Sequence, residues 1–350
     1  MRAAVFHAAE DLRIEDVPEP TPGPGQVKIR NAFAGICGSD LHIYFAPESA
    51  GIDLERPHPV TGSTLPQVLG HEFSGTVVEL GPGVADVEVG DRVAVWPIYA
   101  CGRCAACRRG APNACRTIGF HGITSDGGGM AEYTTVAADK VHVLPEGVDL
   151  RLGALVEPMA VAWHAVSRSG VQPGQSALVV GAGPIGIGVW FALRARGVDA
   201  VVVSEPSEAR RRAITGVGAD HVVDPITADL TAVVAEVTGG DGVDAVFDAA
   251  GVGPALASGL EQLVPHGTAV VVAIHERPME FSPTALVMPE ATITGTLAYL
   301  QEDFDAVIQA MAAGKYDTTG WVDEIALDEV VETIHALRAG RGMKALVAAR

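Results

Sequence analysis

Positive charge is scarce in this 350-residue chain: 24 Lys and Arg stand against 43 Asp and Glu, a formal net charge of −19 at pH 7. A surface so acidic repels polyanions, which excludes nucleic acid and anionic membrane as expected partners. An uninterrupted apolar run of membrane-spanning length is also missing. The longest apolar stretch, Ala177 to Leu193, carries Gly181, Gly183, Pro184, Gly186 and Gly188 and falls short of the roughly 20 residues that a span needs. The segment Met1-Arg2-Ala3-Ala4-Val5-Phe6-His7 meets Glu10-Asp11 before an apolar leader core develops, so no targeting segment is read and a cytoplasmic protein is expected. Internal repeats and low-complexity tracts are lacking, because the 41 Gly and 22 Pro are scattered as in a chain of many short turns. Disorder is excluded by a hydrophobic content of 48%, and the length suggests about two domains, each with its own core. Cysteine is few in number and concentrated in place. Cys101, Cys104, Cys107 and Cys115 fall within fifteen residues, and Cys37 stands alone. An odd count so distributed is a poor disulfide framework and a good metal site.

What is present reads as two kinds of chain. Residues 1–153 alternate short strands with turns: β-branched or alternating runs at 27–31, 75–80 and 91–95 are bounded by Pro-Gly-Pro-Gly at 22–25, Gly-Pro-Gly at 81–83 and Gly90. From 154 to 296, continuous apolar strands alternate with helical stretches, at 177–180 then 185–196, 200–203 then 207–214, and 245–247 then 254–263. That alternation predicts a doubly wound parallel sheet covered on both faces, an α/β domain beside a mainly β one. The tail, 297–350, predicts helices over 304–313 and 327–337 and a strand over 345–348, packed back on the first domain.

Gly181-x-Gly183-x-x-Gly186, with Pro184 and Ile185 inside it, lies between a predicted strand and a predicted helix. The first glycine allows the tight turn, the second lets the backbone approach a pyrophosphate, and the third lets helix and strand pack closely. Phosphates then meet the free N–H groups of the helix N-terminus. Glu205 closes the next strand 19 residues after Gly186, where a carboxylate accepts from ribose hydroxyls and repels a 2′-phosphate. NAD is therefore the expected cofactor. Arg210, Arg211 and Arg212 pull the other way if a guanidinium is free to pair a 2′-phosphate, and are otherwise solvated positions on a surface helix.

Cys101-x-x-Cys104-x-x-Cys107 followed by Cys115 can wrap four thiolates around one ion, the pattern of a closed structural zinc. An iron–sulfur cluster is the rival reading, but the ferredoxin run places its fourth cysteine after three residues with a proline behind it, whereas here the gap is seven and Arg116 follows. Arg103, Arg108 and Arg109 would partly offset the charge of such a centre. Cys37 opens a polar turn into a short helix, and His71-Glu72 follows later. Together they offer one S, one N and one O donor and leave a fourth position open, as catalytic zinc requires. His71 as a hydrogen-bonded core histidine is the competing reading.

Cys37-Gly38-Ser39-Asp40-Leu41-His42, Gly70-His71-Glu72-Phe73-Ser74-Gly75, the four-cysteine loop, Asp126-Gly127-Gly128-Gly129-Met130-Ala131-Glu132-Tyr133 and the Gly181–Gly186 loop occur in this order. In this the whole chain resembles the zinc-dependent medium-chain dehydrogenase/reductase family. Glu157-Pro158-Met159-Ala160-Val161-Ala162-Trp163-His164, the 57–62 stretch and Ser204-Glu205-Pro206-Ser207-Glu208-Ala209-Arg210-Arg211 resemble its (R,R)-2,3-butanediol dehydrogenases more than its sorbitol or threonine dehydrogenases.

The resemblance implies a GroES-like catalytic domain (1–153 and 297–350), a Rossmann domain (154–296), NAD, and two Zn2+ per chain, one catalytic and one structural. It implies that Cys37 and His71 hold the catalytic zinc with Glu72 or Glu157. It further implies that Ser39 takes the substrate proton, which passes by way of the nicotinamide ribose to His42; of the arginine run after Glu205, Arg210 is the one expected at the cofactor. On the bland readings Ser39 caps a helix, His42 lies on the surface and Glu157 caps the helix after it. His7, His58, His121, His142, His164, His221, His266, His275 and His335 are read as structural or surface. The implied reaction interconverts a small secondary alcohol or vicinal diol and its ketone, such as 2,3-butanediol and acetoin, or acetoin and diacetyl, in a homodimer or homotetramer. A polyol or L-threonine substrate and a non-enzymatic NAD-binding structural protein are the alternatives.

Overall fold

In the computed structural model, residues 1–50 and 53–349 are described, and the chain divides into two units. The first takes in Met1–Glu157, Leu300–Ala312 and the chain from Val322 onward; the second takes in Pro158–Tyr299 and Ala313–Trp321. The tail predicted to lie wholly with the first domain is thus shared. Tyr316, buried, brings its ring centroid to 4.9 Å from that of Phe191, an aromatic contact that fastens its segment to the second unit.

The first unit is organised by the strand Gln26–Gly35, in which Val27, Ile29 and Ala34 are fully buried. It pairs antiparallel with Glu72–Leu80, with Tyr133–Ala137 and with Lys344–Ala348. In this register Gly35 lies opposite Glu72 on one side and Leu346 on the other. Three strand ends therefore converge where the chain leaves the sheet toward Cys37. Arg92–Val95 and Val141–Val143 extend the sheet beyond Glu72–Leu80, and Val322–Ala326 extends it beyond Lys344–Ala348. Phe6, Ile29, Phe73, Met130 and Val347 share one core, so residues far apart in sequence bury apolar area together.

The second unit is a six-stranded parallel sheet in the order His221–Val223, Ala200–Ser204, Ser176–Val180, Val243–Asp248, Leu263–Val271, Thr292–Gly295. Ser176–Val180 is buried at every position, as a strand covered on both faces must be. Strand order reverses beside it, which is where a doubly wound sheet opens its ligand crevice. The helix predicted over 254–263 ends at Leu260, and Leu263 begins the strand Leu263–Val271. Pro265 cannot continue a helix, since its ring clashes with the preceding turn and it lacks an N–H. Among the described residues no helix is long and apolar enough to cross a membrane.

Candidate active site

Cys37 occupies the N-cap of the helix Gly38–Phe45, with extended backbone. Asp40, fully buried, reaches back so that its Oδ2 accepts from the Cys37 N–H at 2.8 Å. Its Oδ1 lies 3.5 Å from Nδ1 of His71. One carboxylate therefore fixes the backbone that carries the thiol and also faces the imidazole, the place that the outer partner of a metal-binding histidine takes. Ser39 is inside the helix and not its cap, and its Oγ lies 3.2 Å from Nε2 of His71. His42 lies in the last turn, three residues beyond Ser39, hence on the same side of the helix.

Donor atoms of Cys37, His71 and Glu72 all lie within 4.8 Å of one another. Burial opposes a charge on His71, yet the neighbouring Asp40 and Cys37 outweigh it and hold the imidazole well above its ordinary range. The negative neighbours that hold a proton on this ring would equally favour a metal cation, which takes the proton's place because only the neutral imidazole ligates. Glu72 Oε1 is buried and has no hydrogen-bond partner, a costly state for a carboxylate oxygen. Thiolate, imidazole and carboxylate in one cluster of three are the donor chemistry of zinc with an open position. The residues fit the metal. Glu157 is buried in the first turn of Val156–Ser169. It lies outside the set of three, and its charge is felt at Lys344.

Lys344 is the residue that sequence reasoning missed. Its Nζ donates to Glu72 Oε2 and, at 2.9 Å, to the carbonyl of Ile36. Burial would lower its pKa, but the charges of Glu72 and Cys37 raise it, so the ammonium is retained. A Cβ at Gly35 would overlap Glu72 Oε2, and this close approach is the one local trace of the pair in the sequence.

The four-cysteine loop folds around the short helix Ala105–Arg108 and the 3-10 turn Pro112–Ala114. Sγ of Cys104 lies 3.5 Å from that of Cys107 and 3.9 Å from that of Cys115, and all four sulfurs are within 4.8 Å of one another. Zn–S bonds of about 2.3 Å imply tetrahedral edges of about 3.8 Å, so the spacing fits one zinc. Backbone N–H groups of Cys107 and Arg116 aimed at Cys104 push its thiol down to about 6, which favours the thiolate that a metal binds. Arg108 turns its guanidinium to the carbonyl of Arg103.

At the glycine loop, the chain leaves Ser176–Val180 through Gly181 at φ +96°, Gly183 caps the helix Pro184–Ala195, and Pro184 and Ile185 form its first turn. A Cβ at Gly186 would overlap the carbonyl oxygen of Gly181, whereas a Cβ at Gly183 would meet no atom within 4 Å. The third glycine thus serves packing and the second leaves room for a ligand. Glu205 is buried. Its Oε2 accepts from the Ala182 N–H and its Oε1 from the Ser207 N–H, both at 2.8 Å. A carboxylate offers about four acceptor positions, so capacity for ribose hydroxyls remains. Arg210 brings Nη1 to 4.0 Å from Glu205 Oε2.

Residues 23–146 match the family model of the alcohol dehydrogenase GroES-like domain, and residues 184–313 match that of the zinc-binding dehydrogenase. The chain is 41% identical over 334 residues to a (R,R)-butanediol dehydrogenase of Bacillus subtilis, an alignment covering 95% of this chain and 94% of that one. It is 36% identical over 346 residues to a probable (R)-acetoin-forming diacetyl reductase of Saccharomyces cerevisiae, covering 91% and 81%. Among solved structures, that of 2R,3R-butanediol dehydrogenase from Bacillus subtilis superposes with a TM-score of 0.91 at 38% identity, covering 100% of this chain and 99% of that one.

Proposed function

Because the chain belongs to the zinc-dependent medium-chain dehydrogenase/reductase family, we propose that it is an NAD-dependent alcohol dehydrogenase for small vicinal diols. The substrate pair is (2R,3R)-2,3-butanediol and acetoin. The observation that carries the chemistry is the Ser39 hydroxyl 3.2 Å from His71 Nε2, a proton carrier beside a three-donor cluster with an open position. Cys37, His71 and Glu72 would hold one zinc, with Glu157 close to the cluster; Cys101, Cys104, Cys107 and Cys115 would hold a second, closed one. When bound, the first zinc supplies the Lewis acidity that brings an alcohol's pKa toward neutrality, and the nicotinamide ring supplies the hydride acceptor.

The chain's own groups do the rest. Ser39 accepts the substrate proton at Oγ, because a hydroxyl both accepts and donates. His42, further along the same helix face, releases it to solvent. Asp40 keeps His71 oriented, and Lys344 holds one oxygen of Glu72 so that the other faces the donor cluster. Glu205 accepts from the adenosine ribose, and the Gly181–Gly186 loop with Pro184 and Ile185 receives the pyrophosphate. An uncharged diol suits a chain of net charge −19, which does not repel it as it would an anion. A cytoplasmic homodimer or homotetramer completes the reading.

Initial rates with each pure 2,3-butanediol stereoisomer, acetoin, sorbitol and L-threonine, each with NAD and NADP, test it. The (2R,3R) diol with NAD should give the highest kcat/KM, by roughly tenfold or more. Preference for sorbitol or L-threonine would overturn the substrate, and turnover of none would overturn the activity.

A further inference from the structure

The arginine run after Glu205 has three different fates. Arg212, exposed, pairs with Glu208 one turn back on its own helix, Glu208–Gly216. Arg210 is 40% exposed and approaches Glu205. Arg211 is turned inward. Its Nη1 donates to the carbonyls of Glu205 at 2.8 Å and of Pro206 at 2.7 Å, while its Nη2 lies 3.2 Å from Asp224 Oδ2. Asp224 is itself fixed just beyond the strand His221–Val223. Its Oδ1 accepts from the Ile226 N–H at 3.0 Å, and its carbonyl accepts from the N–H groups of Thr227 and Ala228. The N–H of Glu205 donates to the carbonyl of Val223 at 3.0 Å. The guanidinium therefore sits beneath the 205–207 turn, in the seam between two neighbouring strand ends.

A guanidinium is the group that recognises a phosphate, and its reach and charge make an unpaired one beside the ribose turn a 2′-phosphate site. Arg211 is denied that role by its bonds. Two carbonyls direct it, and one carboxylate neutralises it. We propose that Asp224 is a specificity-determining residue that acts through Arg211, withholding that guanidinium from a 2′-phosphate and leaving the ribose end to Glu205. This rests on the dinucleotide reading above and adds to it a second selection against NADP, built one strand away from the acidic residue that makes the first. Loss of the Asp224 charge leaves Arg211 with carbonyl partners only and releases it toward an incoming dianion.

Coenzyme fluorescence titrations on the full-length, zinc-loaded protein give Kd for NADH and NADPH without reference to turnover. Asp224→Asn retains an acceptor for the Ile226 N–H while removing the charge. It is expected to lower the NADPH-to-NADH Kd ratio about tenfold, with Kd for NADH within about twofold of wild type. Arg211→Ala in the same background is expected to return the ratio to the wild-type value. Asp224→Ser repeats the test if the asparagine variant melts early. The inference is overturned if the ratio does not move, if the gain survives Arg211→Ala, or if both coenzymes weaken alike, which would mark Asp224 as a support of the turn only. A wild-type protein that binds neither coenzyme overturns the dinucleotide reading and this inference with it. A wild type selective for NADH with an unmoved variant overturns the inference alone.

Discussion

Lys344 and Glu72 form an ion pair sealed from solvent, with side-chain exposures of 3% and 0%. The ammonium also donates to the Ile36 carbonyl, so neither charge can be removed without stranding the other. Losing one partner of a buried pair costs about 3–5 kcal/mol. Lys344→Met and Glu72→Gln should each lower the melting temperature of the first unit by several degrees. The double variant should cost less than their sum by at least about 1 kcal/mol. Additive losses in a melting cycle would mean that the pair is not coupled.

The two cysteine groups should separate by metal analysis. Cys37→Ser is expected to remove one of two zinc equivalents and to reduce kcat by about a thousandfold or more while melting changes little. Cys104→Ser is expected to remove the other equivalent and to lower the melting temperature. Wild-type rates with two zinc retained in Cys37→Ser would place the reactive site elsewhere.

Two glycines in one loop should respond differently. Gly183→Ala meets no neighbour within 4 Å, so it should melt like wild type but weaken NADH about tenfold or more, because the added methyl fills the space the backbone leaves for a pyrophosphate. Gly186→Ala drives a methyl into the Gly181 carbonyl and should lose stability as well as binding. Melting curves and NADH titrations of both variants distinguish room for a ligand from room for a helix.

His121 makes acid stability measurable at a histidine outside both donor clusters. It is almost fully buried among hydroxyls, with Nε2 2.9 Å from Thr134 Oγ1 and Nδ1 3.0 Å from Ser125 Oγ and 3.2 Å from the Tyr99 hydroxyl. Burial, helped by the charge of Lys140, pushes it from 6.5 down to about 3. Between these values the unfolded chain takes up a proton that the folded one refuses, so stability falls as pH falls below 6.5 and is unaffected by this group above it. The loss should reach about 1.4 kcal/mol near pH 5.5. His121→Gln, which stays neutral, should lose that much less between pH 7.5 and 5.5. Parallel melting curves for the two proteins would refute the assignment.

What could be read in the sequence was what lies close along the chain. The spacing of the four cysteines, of the glycine loop and of Cys37 with Ser39 places each group within one turn or one short helix, where local geometry suffices. Glu205 was legible because one strand and one helix fix its distance from Gly186. Lys344 was not, since its partner lies 272 residues away and a lysine ordinarily signals surface. Asp40 read only as a neighbour of Ser39 until the fold brought His71 beside it. The helix predicted over 254–263 ran too far because Leu260, Leu263 and Val264 suit either element, and Pro265 is what divides them.

The strand Lys344–Ala348 also dictates an order of events at the ribosome. Lys344 bonds to a carbonyl 308 residues earlier, so during synthesis Glu72 and the open flank of Gln26–Gly35 wait, uncompensated, for almost the whole chain to emerge. An unpaired strand flank is a site for wrong partners in that interval. The parallel sheet, whose six strands all lie between Ser176 and Gly295, can close while the metal-binding half is still incomplete. Stalled or shortened chains should therefore accumulate with a nucleotide fold in place and an unfinished metal-binding half, the form a cell's proteases would meet first.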